Sequence, residues 1–259
     1  PPEGMGDGRG AVRRGVDQAL GELRAALSRH GHRVAAMACE PLVQAAGGFN
    51  FYPPEYLREA RRLCDEHDVL LICDEVATGF GRTGTMFACE QAGITPDIMV
   101  LGKGLAAGYL GMSATLATGK IFAAFLGGPD QAFMHGPTFM GNALACSVAL
   151  ASLDLFAAED YLGKIRRIEA ILREELLGAA GPAIREARVF GACGVIEVND
   201  RRALDGVQAF AARRGVWLRP FDRVVYTMPA YVIEEADLRR VCQTMRAWFD
   251  RAQPVSSKT

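Results

Sequence analysis

The 259-residue sequence predicts an α/β fold with a mostly parallel sheet, followed by a smaller α+β domain. Three observations carry this. The runs "VLLICDE" (69–75) and "DIMVLG" (97–102) are nearly unbroken apolar strands, which belong in parallel sheets covered by helices on both faces. Between and around them, helical spacing alternates with strands in the rhythm of βαβ units. Near residue 157 the texture changes to short strands among helices, so we divide the chain into 1–156 and 157–259.

The elements follow in order. "PPEGMGDGRG" (1–10) is glycine-rich and reads as a loop or frayed end. "VDQALGELRAALSRHG" (16–31) spaces Leu and Ala as a helix does and stops at Gly31. "RVAAMACEP" (33–41) is a buried strand closed by Glu40-Pro41, and "PPEYLREARRLCDEHD" (53–68) a helix with prolines at its entry. Strands are expected over 69–75, 97–102 and 111–118. Residues 142–178 read as a long helical stretch broken near Glu159-Asp160. In the second domain, "VFGACGVIEV" (189–198) and "VVYTMP" (224–229) are short strands, and 205–215 and 235–250 are helices. The tail "QPVSSKT" reads as disordered.

Composition narrows the function classes. Half of the residues are hydrophobic, enough for a sizeable core. A net charge of -1 offers no basic excess for nonspecific nucleic-acid binding. No apolar run approaches the roughly 20 residues of a membrane span, and the opening residues lack the pattern of a signal peptide. The seven cysteines are scattered and form no CxxC pair, so a cytoplasmic protein without disulfides is expected. Four histidines without paired spacing predict no metal site.

The chemistry lies at strand ends, where open α/β sheets bind ligands. "LLICDEVATGFGRTG" (70–84) brings Asp74 to the end of one strand, and "DIMVLGKG" brings Lys103 to the end of another. Taken alone, this acid and base would suit an ion pair or two solvated charges. They would also suit a pyridoxal 5'-phosphate site, where a lysine forms a Schiff base and a carboxylate pairs with the protonated ring nitrogen. A buried lone carboxylate is costly, and such a partner offsets that cost.

"LLICDEVATGFGRTG", "PDIMVLGKGLAAG" and "FMHGPTFMGNALAC", in this order and spacing, resemble the fold-type I, class III aminotransferases, which depend on pyridoxal phosphate. Within that family "HGPTFMGN" and "DEVATG" (with Ala77) resemble the biotin-synthesis branch. Related ornithine, aminobutyrate and omega-amino-acid enzymes usually carry tyrosine after the threonine and no proline before it. "EPLVQAAGGFNFYPPEYL" and "GVWLRPFDRVVYTMPAY" extend the likeness from about residue 33 almost to the C-terminus.

The resemblance implies a homodimer with shared active sites and the substrates 8-amino-7-oxononanoate and S-adenosylmethionine, lysine being the donor in some relatives. It implies Lys103 as the Schiff-base and proton-shuttling lysine and Asp74 as the ring partner. Gly136, Pro137 and Thr138 would form the turn that binds the phosphate of the neighbouring subunit's cofactor. Gly136 would also meet substrate, Arg219 would grip a substrate carboxylate and Tyr226 would line the same pocket. Arg82 stays open between a structural and a site-edge charge, and His135 reads as structural. Departures from the family pattern are Ala143 and Ala230 where prolines are usual. Family members also carry a long N-terminal part, with a phosphate loop and ring-stacking aromatics, that has no counterpart here. Two other readings therefore remain: another omega-amino-acid aminotransferase of the class, or a catalytically silent fragment.

Overall fold

The computed structural model describes residues 9–251, which divide into two compact units, one of residues 9–45 and 50–162, the other of 46–49 and 163–251. The tail expected to be disordered lies outside the described residues, as do residues 1–8 of the expected N-terminal loop. Residues 9 and 10 are not loop: they open α1 (Arg9–His30), which begins a turn and more before the expected start.

The first unit holds β1 (Ala36–Cys39), a small hairpin of β2 (Val43–Gln44) and β3 (Asn50–Phe51), α2 (Pro54–Glu66), β4 (Leu70–Asp74), β5 (Ile98–Leu101), β6 (Ala114–Ala117), α3 (Gly119–Ala123) and α4 (Ala143–Ala158). Its main sheet runs β1-β4-β5-β6. β1, β4 and β5 are parallel and β6 is antiparallel to β5, so the sheet is mixed and mostly parallel. The hairpin and α3 carry too few periodic residues to announce themselves in sequence.

α2 is the crossover between β1 and β4. Proline at its first position costs no hydrogen bond. Tyr56, Leu57, Ala60, Leu63 and Cys64 recur at helical spacing and form its buried face. Asp97, entering β5, ties these elements together. Its carboxylate accepts from the Leu71 N–H at 2.8 Å and from Arg61 of α2 at 2.5 Å. Burial pushes the Asp97 carboxyl up, but these two donors more than offset it and hold it below its usual range.

The helical stretch over 142–178 does break where expected, between α4 and α5 (Tyr161–Leu176). α5 and α7 (Glu235–Phe249) serve the second unit, with the antiparallel sheet β7 (Ile184–Phe190), β8 (Cys193–Val198), β10 (Val224–Thr227) and β9 (Arg219–Phe221), in that order, and α6 (Val207–Ala212). All six residues of β8 are buried. Gly194 permits this, because a Cβ there would lie 2.6 Å from the Leu176 side chain of α5.

Candidate active site

β4 and β5 run side by side with Asp74 opposite Val100, and the Glu75 N–H extends the ladder to the Val100 carbonyl at 2.9 Å. The chain leaves β5 through Gly102 and reaches Lys103 in a short 3-10 turn (Lys103–Ala106). Asp74 and Lys103 thus sit at the carboxyl ends of neighbouring parallel strands, as expected from sequence.

The lysine turn is held against the loop that follows Asp74. A Cβ on Gly102 would lie 3.4 Å from Val76, and one on Gly104 only 2.9 Å from Phe80. Lys103 itself is exposed and has φ of +43°, a left-handed conformation that costs a side-chain-bearing residue about 1–2 kcal/mol. Such strain persists where the surroundings over-determine it. Here Phe80, Leu101, Leu105 and Ala149 of α4 form the apolar base under the turn.

The two acids of "DEVATG" differ in environment. Asp74 is half-buried, not fully buried as its place in an apolar run suggested, because β4 ends there. Its Oδ1 accepts from the Val76 N–H at 3.0 Å, which orients the carboxylate and is its only side-chain hydrogen bond among the described residues. Glu75 is fully buried. It accepts from the Thr78 hydroxyl and from the Cys89 N–H at 2.9 Å, and burial pushes its pKa up against those bonds. Glu75 is thus a structural acid that sequence reading passed over. The signal was the doublet itself, since adjacent strand residues face opposite sides.

Gly136, Pro137 and Thr138 lie in an exposed segment ahead of α4. The Met140 N–H donates to the Pro137 carbonyl at 2.8 Å, making a turn with Thr138 inside it. Asn142 then caps α4 by accepting from the Ala145 N–H at 2.9 Å. Among the described residues no hydrogen bond joins Thr138 to Asp74 or Lys103. The His135 ring meets the Phe133 ring edge-on, with centroids 5.9 Å apart. The Arg82 N–H closes a turn onto Gly79 at 3.5 Å, and the residue is half-buried.

In the second unit Arg219 of β9 and Tyr226 of β10 are direct cross-strand partners. Seven residues apart in sequence, they share one face of the sheet. Arg219 is exposed and makes no ion pair among the described residues. Tyr226 is half-buried, with the Phe49 ring 4.3 Å from its own.

Asp74 and Lys103 pass the test of fit for a cofactor with a basic ring nitrogen and an aldehyde. The carboxylate has an oxygen uncommitted within the described chain, and the lysine has no partner there. Among the described residues no cluster of three or more His, Cys, Asp or Glu could hold a metal ion, and all seven cysteines are free thiols.

The family model for class III aminotransferases matches residues 9–249. The chain belongs to the class III aminotransferase family. Among class III relatives, the adenosylmethionine-8-amino-7-oxononanoate aminotransferase of Mycobacterium leprae is 46% identical over 220 residues, covering 85% of this chain and 50% of the relative. The enzyme of that name from Geobacter sulfurreducens is 44% identical over 236 residues, covering 85% and 52%. The chain therefore spans about half the length of the curated relatives it matches. Among solved structures, an aminotransferase from Bacillus anthracis superposes with a TM-score of 0.88 at 27% identity, over 97% of this chain and 60% of that one. The adenosylmethionine-8-amino-7-oxononanoate aminotransferase of Methanocaldococcus jannaschii gives 0.84 at 32% identity, over 89% and 57%. The fold is that of the fold-type I transaminases, as the class III motifs implied.

Proposed function

We propose that this chain is the C-terminal part of a pyridoxal-phosphate aminotransferase. The enzyme passes an amino group from S-adenosylmethionine to 8-amino-7-oxononanoate and forms 7,8-diaminononanoate for biotin synthesis. The observation that supports it most is the placement of Asp74 and Lys103 at adjoining strand ends, within a chain whose relatives carry that enzyme's name. In this reading residues 1–156 belong to the cofactor-binding domain and 157–259 to the small domain, in a cytoplasmic homodimer.

Lys103 would hold pyridoxal phosphate through Nζ, and Asp74 would keep its ring nitrogen protonated. When bound, the cofactor supplies an electron sink for the carbon that loses a proton. Once released from the cofactor, the Lys103 Nζ would be the base that takes this proton and the acid that returns it to the neighbouring position, a role worth roughly 10²–10⁴-fold in rate. The Val76 N–H keeps the Asp74 carboxylate aimed. Thr138, with Gly136 and Pro137, would offer a hydroxyl and backbone N–H groups to a phosphate held by the neighbouring subunit. Its exposed turn suits a contact made outside its own chain. Gly136 would also meet substrate. Arg219 would receive the carboxylate of the amino-oxononanoate, for which a planar guanidinium is well shaped, with Tyr226 beside it.

The test is trapping. The chain is mixed with substoichiometric pyridoxal phosphate and reduced with borohydride, and its peptides are then read by mass spectrometry. Label should concentrate on Lys103 over Lys120, Lys164 and Lys258, and Lys103→Ala should lose it. Label spread evenly over the lysines would sink the assignment.

A further inference from the structure

The cross-strand register of the second unit lines up four residues in one row: Arg188 opposite Val195, Val195 opposite Tyr226, and Tyr226 opposite Arg219. Paired residues point to the same face of a sheet. The row therefore begins with a buried cation and ends with an exposed one. Arg188 is 4% exposed and Glu197, two residues beyond Val195, is 7% exposed. Their charged groups meet at 2.5 Å, and Arg185 reaches the other Glu197 oxygen at 2.9 Å. Glu186 also pairs with Arg188.

The Arg188 guanidinium has a second task. Its Nη2 donates to the Gly48 carbonyl at 3.3 Å, gripping the short 46–49 loop. That loop is bent through two consecutive left-handed residues, Gly48 at φ +98° and Phe49 at φ +58°. Glycine adopts this freely, whereas phenylalanine does so only under constraint. The result places the Phe49 ring, 4% exposed, against Tyr226 with centroids 4.3 Å apart and planes tilted by 35°. Tyr226 is the residue directly beside Arg219.

We propose that Arg188 and Phe49 are positioning residues for the carboxylate-binding pair. Arg188, neutralised by Glu197, fixes the Gly48 carbonyl, and the fixed loop presses Phe49 on Tyr226. The Tyr226 ring is thereby held in one orientation next to the Arg219 guanidinium. The proposal rests on the reading of Arg219 and Tyr226 as receivers of the substrate carboxylate. Neither Arg188 nor Phe49 touches the substrate in this scheme. Their effect falls on the binding of the keto substrate, whose carboxylate Arg219 holds.

Two conservative variants test it without opening the core. Arg188→Lys keeps a charge for Glu197 but cannot reach Glu197 and Gly48 as a fork. Phe49→Leu keeps apolar volume but loses the ring. In the purified chain, nitration of Tyr226 by tetranitromethane is read by mass spectrometry against the exposed Tyr109. Both variants should raise the Tyr226 rate about 3- to 10-fold, the worth of an aromatic pair. Kinetics use the chain fused behind the N-terminal part of an active relative. There both variants should raise KM for 8-amino-7-oxononanoate about 3- to 10-fold, with kcat unchanged. Arg219→Ala is the reference and should raise the same KM roughly 10- to 150-fold. Unchanged Tyr226 nitration overturns the proposal. So does an unchanged acceptor KM in both variants while Arg219→Ala raises it, and then the carboxylate site itself still stands. An acceptor KM that Arg219→Ala leaves unmoved overturns the site and the positioning together.

Discussion

The two units close their surfaces differently. In the second, β8 is buried along its whole length, and α5 and α7 bring Ile165, Leu172, Leu176, Leu238 and Met245 into its core. In the first, α2 buries one face and β4 buries alternate residues, but the segment running from the lysine turn into α4 is uncovered. Tyr109, Phe122, Phe133, Met134, Phe139 and Leu144 are all more than 60% exposed. α4 is apolar nearly all round, yet only Ala145 and Ala149 are buried. A helix of that composition normally lies inside a larger core, and an apolar patch of that extent normally marks an interaction surface. The second unit completes its core from its own residues. The part of the first that carries Lys103 presents apolar surface that suits covering by further protein.

The largest effect should come from the closed core. Leu176→Ala removes a fully buried side chain packed on Gly194 and should cost about 2–5 kcal/mol in denaturant unfolding. A loss under 1 kcal/mol would mean the second unit is loosely packed and the contrast false.

Next comes the buried polar joint of the first unit. Asp97→Asn weakens the bonds to Leu71 and Arg61 and should cost about 1.5–3 kcal/mol at neutral pH. Because the Asp97 pKa lies lower folded than unfolded, its stabilisation is present above its ordinary value of 3.8 and is lost as pH falls through the folded value. The gap between wild type and variant should therefore close in acid. A gap that does not narrow as pH falls below 3.8 would locate the stabilisation elsewhere.

Glu75 should behave in the opposite sense. Burial raises its folded pKa above 4.5, so its contribution is fullest below that pH and is lost as pH rises through the folded value. Glu75→Gln should gain on wild type as pH rises from 4 to 8, measured by chemical denaturation. A pH-independent difference would show that the acid is not penalised by burial.

The smallest change in stability should come from the uncovered surface. Phe139→Ser, at a site 82% exposed, should shift unfolding by no more than about 0.5 kcal/mol. Sedimentation should nevertheless show less self-association than in wild type. Equal association in the two proteins would mean that the patch is inert.

Much of this molecule is legible in its order of residues. Apolar period and turn residues are local properties, so β4, β5, α2, the break between α4 and α5, and the placing of Asp74 and Lys103 at strand ends could all be read directly. Motifs in register supplied Thr138, Arg219 and Tyr226 by resemblance. Their local surroundings could not be read in the same way. Neither could the antiparallel turn of β6, the small hairpin or β9, all of them short. Which acid of the Asp74-Glu75 pair would be fully buried depended on which side of β4 faced Cys89 and Thr78. The row from Arg188 to Arg219 depended on the register of four strands spread from Ile184 to Thr227, with a loop from more than a hundred residues earlier gripped at its end. Register and burial are set by global pairing and packing, in which no single stretch of sequence holds both partners.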